Sequence, residues 1–186
     1  LKPDQQAAWE QIHNSFSLPT ASFLLHGVTG SGKTELYIRA AQETIRHGKQ
    51  AIILVPEIAL TPQTVRRFLE RFPGQVGLVH SRLSDGERYD TWRRARLGQL
   101  KVIIGPRSAL FAPLPNPGFI AVDECHDGSY YQSEPPFYNA ANTAMAYARL
   151  CGAVCVLGSA TPSILQRYPS CPPQEAKAGE SIRLEL

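Results

Sequence analysis

The chain reads as an α/β domain built on a mostly parallel sheet with helices on both faces. Three observations predict this. Apolar runs such as Ala51-Ile52-Ile53-Leu54-Val55 and Phe119-Ile120-Ala121-Val122 carry no polar alternation, as strands covered on both faces do. Segments of helical period separate those runs, so strand and helix alternate along the chain. Phe23-Leu24-Leu25 leads directly into Gly27-Val28-Thr29-Gly30-Ser31-Gly32-Lys33-Thr34, a glycine-rich strand-to-helix loop of the phosphate-binding kind. At 186 residues the chain is long enough for one substantial core.

Taken in order, Pro3 sits at a first helical position, and Ala8, Ile12 and Phe16 follow at helical spacing, predicting a helix over 3–16. Ser22 to Leu25 is the first strand. Beyond the loop, Leu36, Ile38, Ala40, Ala41 and Ile45 fit a helix that Gly48 terminates. Ala51 to Val55 is the next strand, and Thr61-Pro62 opens a helix as cap and first residue. Val65, Phe68, Leu69 and Phe72 form its apolar stripe, which leaves Arg66, Arg67 and Arg71 on other faces, read as solvated.

Val76 to His80 is a short strand. Ser84 with Glu87 three residues on forms a capping box for a helix running to about Leu97. Val102 to Ile104 is a strand, and Pro106, Pro113, Pro115 and Pro117 impose irregular backbone around Ser108 to Phe111. Phe119 to Val122 runs straight into Asp123-Glu124. Asp127 to Pro136 reads as a loop, Asn139 to Leu150 as a helix, and Val154 to Leu157 as the last strand. Pro169, Pro172 and Pro173 with mixed charge mark 169–186 as a linker, leaving 1–168 as the folded domain.

A net charge of +3 permits a polyanionic partner without requiring one. Cys125, Cys151, Cys155 and Cys171 form no CxxC pair, so a zinc site is not expected. Cys151 and Cys155 read as buried reduced thiols, which suits a reducing cytosol. No apolar run approaches the roughly 18 residues of a membrane span, and no leader is visible. Because Leu1 is not an initiator, the chain is expected to be a piece of something longer.

The chemistry concentrates at strand ends. Backbone N–H groups of Gly27, Gly30, Ser31 and Gly32 can wrap a β-phosphate, and the Lys33 ammonium offsets the β/γ charge. The Thr34 hydroxyl can hold Mg²⁺. Asp123 and Glu124 end an apolar strand, and in a doubly wound sheet such ends share one crevice with the phosphate loop. The first acid can orient Mg²⁺ through its water shell. The second can polarise the water that attacks the γ-phosphorus.

Asp123-Glu124-Cys125-His126 resembles the Asp-Glu-x-His signature of superfamily 2 helicases, and Ser159-Ala160-Thr161 resembles their third motif. Pro56-Glu57-Ile58-Ala59-Leu60-Thr61-Pro62 and Gly105-Pro106-Arg107-Ser108-Ala109-Leu110-Phe111 resemble the two strand-end motifs that hold single-stranded nucleic acid. Together with Asp127-Gly128-Ser129-Tyr130, these most closely resemble the primosomal replication-restart helicases, the PriA family, over Gln5 to Pro162.

The resemblance implies a RecA-like ATP-binding domain, the first of a two-domain motor that hydrolyses ATP to translocate on and unwind DNA at stalled forks. It implies ATP and Mg²⁺ as cofactors, with zinc only in a domain outside this chain. Forked and single-stranded DNA, primosome proteins and single-stranded-DNA-binding protein would be partners, in a bacterial, nucleoid-associated cytoplasmic setting without a membrane. The fragment alone would bind nucleotide and DNA weakly and not unwind, because the second motor domain supplies the transition-state arginine.

By residue, the resemblance makes Gln5 the adenine reader, whereas the residues alone favour a plain helix-surface glutamine. His126 and Thr161, with Ser159, would couple hydrolysis to the third motif. Thr61, Arg107 and Ser108 would contact the DNA backbone. Tyr130, Tyr131, Phe137 and Tyr138 resemble an aromatic-rich coupling loop whose rings either stack on bases or tuck the loop onto the core.

Two positions depart from the family pattern. Cys125 stands where the family pattern leads one to expect Glu, with Glu124 retained, and Asn139-Ala140-Ala141-Asn142 lacks an expected Arg and Asp. Two other readings fit the same motifs: a nucleotide-gated platform that binds DNA and proteins without unwinding, or another superfamily 2 DNA translocase.

Overall fold

A computed structural model describes residues 1–18, 20–28, 30–162 and 181–186. The apolar runs become strands β1 (Ala21–His26), β2 (Gln50–Leu54), β3 (Val76–Leu78), β4 (Val102–Gly105) and β5 (Pro117–Val122). A two-residue pair follows, β6 (Tyr131–Gln132) and β7 (Tyr138–Asn139), and then β8 (Val154–Ser159) and β9 (Ser181–Glu185). Helices α1 (Pro3–Ser15), α2 (Lys33–Arg46), α3 (Pro62–Arg71), α4 (Asp85–Arg96) and α5 (Ala140–Cys151) connect them. Seven strands form one sheet in the order β3-β4-β2-β5-β8-β1-β9, with every pairing parallel, while β6 and β7 pair antiparallel as a separate hairpin.

Two buried clusters cover the two faces of the sheet, as unalternated apolar strands require. One joins Phe23, Leu25, Ile53 and Phe119 to Ile12 of α1, to Leu36 and Ile38 of α2 and to Phe68 of α3. The other joins Ile52, Leu54, Ile120 and Val122 to Ala144 and Ala148 of α5 and to Leu110.

The caps follow the sequence. Thr61 accepts the Thr64 N–H at 3.2 Å, and Ser84 and Glu87 close their capping box. Asn139 accepts from Ala141 and Asn142. In the α3 stripe, Phe68 and Phe72 are buried, whereas Leu69 remains exposed.

Two expectations change. Ser181–Glu185, read as linker, pairs in parallel with β1 from Ser22↔Ser181 to His26↔Glu185. Leu184 is buried in the core there, because β1 would otherwise be an uncovered edge. The domain boundary at 168 and linker residues 169–180 lie outside the described residues. The stretch from Asp127 to Pro136 is not loop throughout, since Gly128–Tyr130 forms a 3-10 turn and Tyr131–Gln132 pairs with β7. The prolines after Gly105 leave Arg107–Phe111 as another 3-10 turn. No described helix is long and apolar enough to cross a membrane.

Candidate functional site

β8 lies between β1 and β5, with His26 opposite Ser159 and Val122 opposite Leu157. Three chain segments therefore leave the sheet side by side: the phosphate loop after His26, the acids after Val122, and Ser159 to Thr161. Backbone bonds tie them to one another and to the end of β2. Gly27 N–H donates to Ser159 O at 3.1 Å, Asp123 N–H to Leu54 O at 2.8 Å, and Cys125 N–H to Gly158 O at 2.8 Å.

The phosphate loop needs glycine at two described positions, Gly30 (φ 81) and Gly32 (φ 97), both left-handed. Gly32 then caps α2. Thr29 lies outside the described residues. Lys33 opens the helix with a buried side chain whose ammonium donates to Gly27 O at 2.8 Å and lies 3.3 Å from Glu124 Oε1. Within the loop, the Ser31 hydroxyl is buried without a hydrogen-bond partner. Gln5 sits in the first turn of α1, accepts from Lys2 N–H, and donates from Nε2 to Ser31 O at 2.6 Å. A Cβ at Gly32 would collide with that amide. The helix-end glutamine is thus also a support for the phosphate loop.

Thr34, Asp123, Glu124 and His126 line one cleft of about 430 Å³ that also takes in Pro56, Thr64 and Ala160. Burial, and then the charge of Glu124, push the Asp123 carboxyl above its ordinary pKa. The Tyr37 hydroxyl and Lys33 pull it back. Glu124 holds a left-handed backbone, φ 45, which for a residue with a Cβ costs about 1–2 kcal/mol and aims the carboxylate back toward Lys33. Cys125 points into the core, where burial pushes its thiol up to about 12. The substituted signature position is therefore a packing residue.

His126 Nδ1 pairs with Ser159 Oγ at 2.7 Å and lies 3.6 Å from Glu124 Oε2. Ser159 Oγ also accepts the Thr161 N–H at 3.0 Å. The contact between signature and third motif thus runs from His126 to the Ser159 hydroxyl, with the Thr161 main chain behind it.

Sequence reading missed two members of this site. Tyr37, one turn beyond Lys33, is fully buried and donates to Asp123 Oδ1 at 3.0 Å. Gly158 makes room for it, since a Cβ there would overlap the Tyr37 hydroxyl and lie 3.2 Å from Asp123 Oδ1. The spacing of Tyr37 from Lys33 on one helix face was the available signal.

The residues assigned to DNA lie on the neighbouring face. Ser108 is exposed, and Thr61 is exposed with its hydroxyl serving as helix cap. Arg107 Nη1 donates to Ser129 O at 2.8 Å and Tyr131 O at 3.0 Å, joining the two motifs. Tyr131 is 54% exposed, but Tyr130 is only 1% exposed and its hydroxyl donates to Asp123 O at 2.6 Å. The expectation of Tyr130 as a base-contacting ring is corrected: its phenol has a buried main-chain acceptor at the strand end, and the ring fills the core.

A helicase model, that of the DEAD/DEAH box helicases, matches residues 2–167, and the chain belongs to that family. Within it, the chain is similar to the replication restart protein PriA of Chlamydia pneumoniae, 52% identical over 168 residues, 88% of this chain and 22% of the relative. PriA of Bacillus subtilis (strain 168) is 48% identical over 165 residues, 88% of this chain and 20% of the relative. The chain therefore spans about a fifth of the length of these relatives. Among solved structures, RecG bound to a three-way DNA junction superposes with a TM-score of 0.67 at 25% identity, over 96% of this chain and 22% of that one.

Proposed function

We propose that this chain is the first RecA-like motor domain of a bacterial replication-restart helicase, which hydrolyses ATP to translocate on and unwind DNA at stalled forks. The observation that carries the reading is the convergence of Lys33, Asp123 and Glu124 at adjacent strand ends, with Glu124 3.3 Å from the Lys33 ammonium.

The donor set fits a nucleoside triphosphate and a hard cation. Loop N–H groups, an orphan Ser31 hydroxyl and a buried ammonium suit phosphate, and the Thr34 hydroxyl with the Asp123 carboxylate are the oxygen ligands Mg²⁺ prefers. A bound Mg²⁺ would supply charge neutralisation at the phosphates. Lys33 would offset the β/γ charge of the bound nucleotide. Tyr37 fixes one oxygen of Asp123 and so would help orient the carboxylate that holds the cation.

Glu124 takes the role of polarising the attacking water, and His126 and Ser159 relay its position to the third motif. Gln5, which holds the phosphate loop through Ser31 O, takes the role of adenine reader. Thr61, Arg107, Ser108 and Tyr131 form the DNA face.

The similarity to PriA proteins also supports primosome proteins and single-stranded-DNA-binding protein as partners, a bacterial cytoplasmic setting near the nucleoid, and zinc held in a domain outside this chain. A strand-displacement assay on the intact protein with forked DNA tests the reading. ATP-dependent release of the displaced strand is expected. Nucleotide-dependent DNA binding with no release would make the protein a binding platform.

A further inference from the structure

α4 carries an aromatic ring that the core does not use. Ala95 is its sole buried residue among those described, and Trp92 belongs to neither buried cluster and is 40% exposed. Trp92 instead lines a groove of about 470 Å³ together with Arg88, one helical turn away on the same face, and with Arg107 from the strand-end motif across it. That volume falls within the roughly 300–1,000 Å³ of small-ligand sites.

The groove has a shaped wall and polar groups to spare. Tyr138 is braced edge-on against Phe111, with centroids 5.3 Å apart at 77°. His80 Nδ1 is buried in the same groove wall with no hydrogen-bond partner. Charge is divided along the groove: Glu57, which accepts from Ser81, lies in it as a carboxylate, whereas Arg88 and Arg107 are cations. A phosphate belongs with the arginines. The aromatic and hydrogen-bonding remainder suits an uncharged base.

We propose that this groove is a nucleobase site on the DNA track, in which one base of single-stranded DNA stacks on Trp92 while its phosphate lies against Arg88 and Arg107. The inference rests on the reading of Arg107 as a DNA contact. Every base has a π-face, so the site is sequence-tolerant, as a translocating motor requires, and such a stack contributes roughly 1–3 kcal/mol, about a 5- to 150-fold effect on affinity.

The chain has two tryptophans, Trp9 and Trp92, so Trp9→Phe leaves Trp92 as the only indole reporter. Titrating that variant of the 186-residue chain with oligothymidylate at low salt should quench its fluorescence saturably. Trp92→Ala, followed by anisotropy of labelled oligothymidylate, should weaken binding about 5- to 150-fold. Trp92→Phe should keep affinity within about threefold, which separates loss of stacking from loss of fold.

Saturable binding without quenching, or a Trp92→Ala chain that binds like the parent, overturns the base site. If Arg107→Ala weakens binding while Trp92→Ala does not, the DNA track stands and the base site falls. If neither change matters, or the parent does not bind, both fall.

Discussion

Gly158→Ala is expected to damage the site through Tyr37. A Cβ at 158 would overlap the Tyr37 hydroxyl and lie 3.1 Å from its Cζ. Tyr37 is fully buried on α2 and has no room to swing away. Overpacking of this kind costs about 1–3 kcal/mol. Displacing the hydroxyl from Asp123 removes a hydrogen bond to an ionisable group, about 1.5–3 kcal/mol. Gly158→Ala should therefore destabilise the chain by about 2.5–6 kcal/mol, and Tyr37→Phe alone by about 1.5–3 kcal/mol.

In the double variant the hydroxyl is gone, and the new methyl meets ring carbon at 3.1 Å and Asp123 Oδ1 at 3.2 Å, contacts that a shift of a few tenths of an ångström relieves. The lost hydrogen bond is counted in both single variants, and the clash with the hydroxyl is gone from the double variant. The double variant should thus be more stable than the sum of the single effects by about 2.5–6 kcal/mol. Urea unfolding followed by far-UV circular dichroism gives all four stabilities. Additivity within about 0.5 kcal/mol would refute the idea that Gly158 exists to admit the Tyr37–Asp123 bond.

Asp123→Asn should stabilise the chain at neutral pH. The folded-state pKa of Asp123 is raised, first by burial and then by Glu124, so between the ordinary aspartate value and the raised one the folded chain binds more protons than the unfolded chain. Stability from this group is present at low pH and lost as pH rises through that window, and Asn removes the loss. A stability–pH profile no different from the parent's would contradict this. Tyr130→Ala should cost about 3–5 kcal/mol as a core truncation, while Tyr131→Ala should stay within about 0.5 kcal/mol, as thermal unfolding would record. Equal effects would contradict the buried and exposed assignments of the two rings.

The sheet was legible because its strands are unalternated apolar runs, and the phosphate loop because its spacing and glycines admit few other uses. β9 was not: Ser181 to Glu185 follows a proline-rich stretch and alternates polar with apolar residues, so its place is decided by the open edge of β1 rather than by local pattern. Asp123, Glu124 and Lys33 were legible as a set because strand ends in this architecture share a crevice. Tyr37, Gly158 and the burial of Tyr130 were not, since an aromatic or a glycine reveals its partner only when elements 86 residues apart, as with Tyr37 and Asp123, meet in space. Ser159 as partner of His126 depended likewise on the β5–β8 register.

The central claim, that Glu124 drives ATP hydrolysis from its seat beside Lys33, is tested most directly by DNA-stimulated ATPase of the intact protein carrying Glu124→Gln, with nucleotide binding measured alongside. The structure predicts a fall of about 10²- to 10⁴-fold in hydrolysis with binding of ATP retained. An unchanged hydrolysis rate would contradict it.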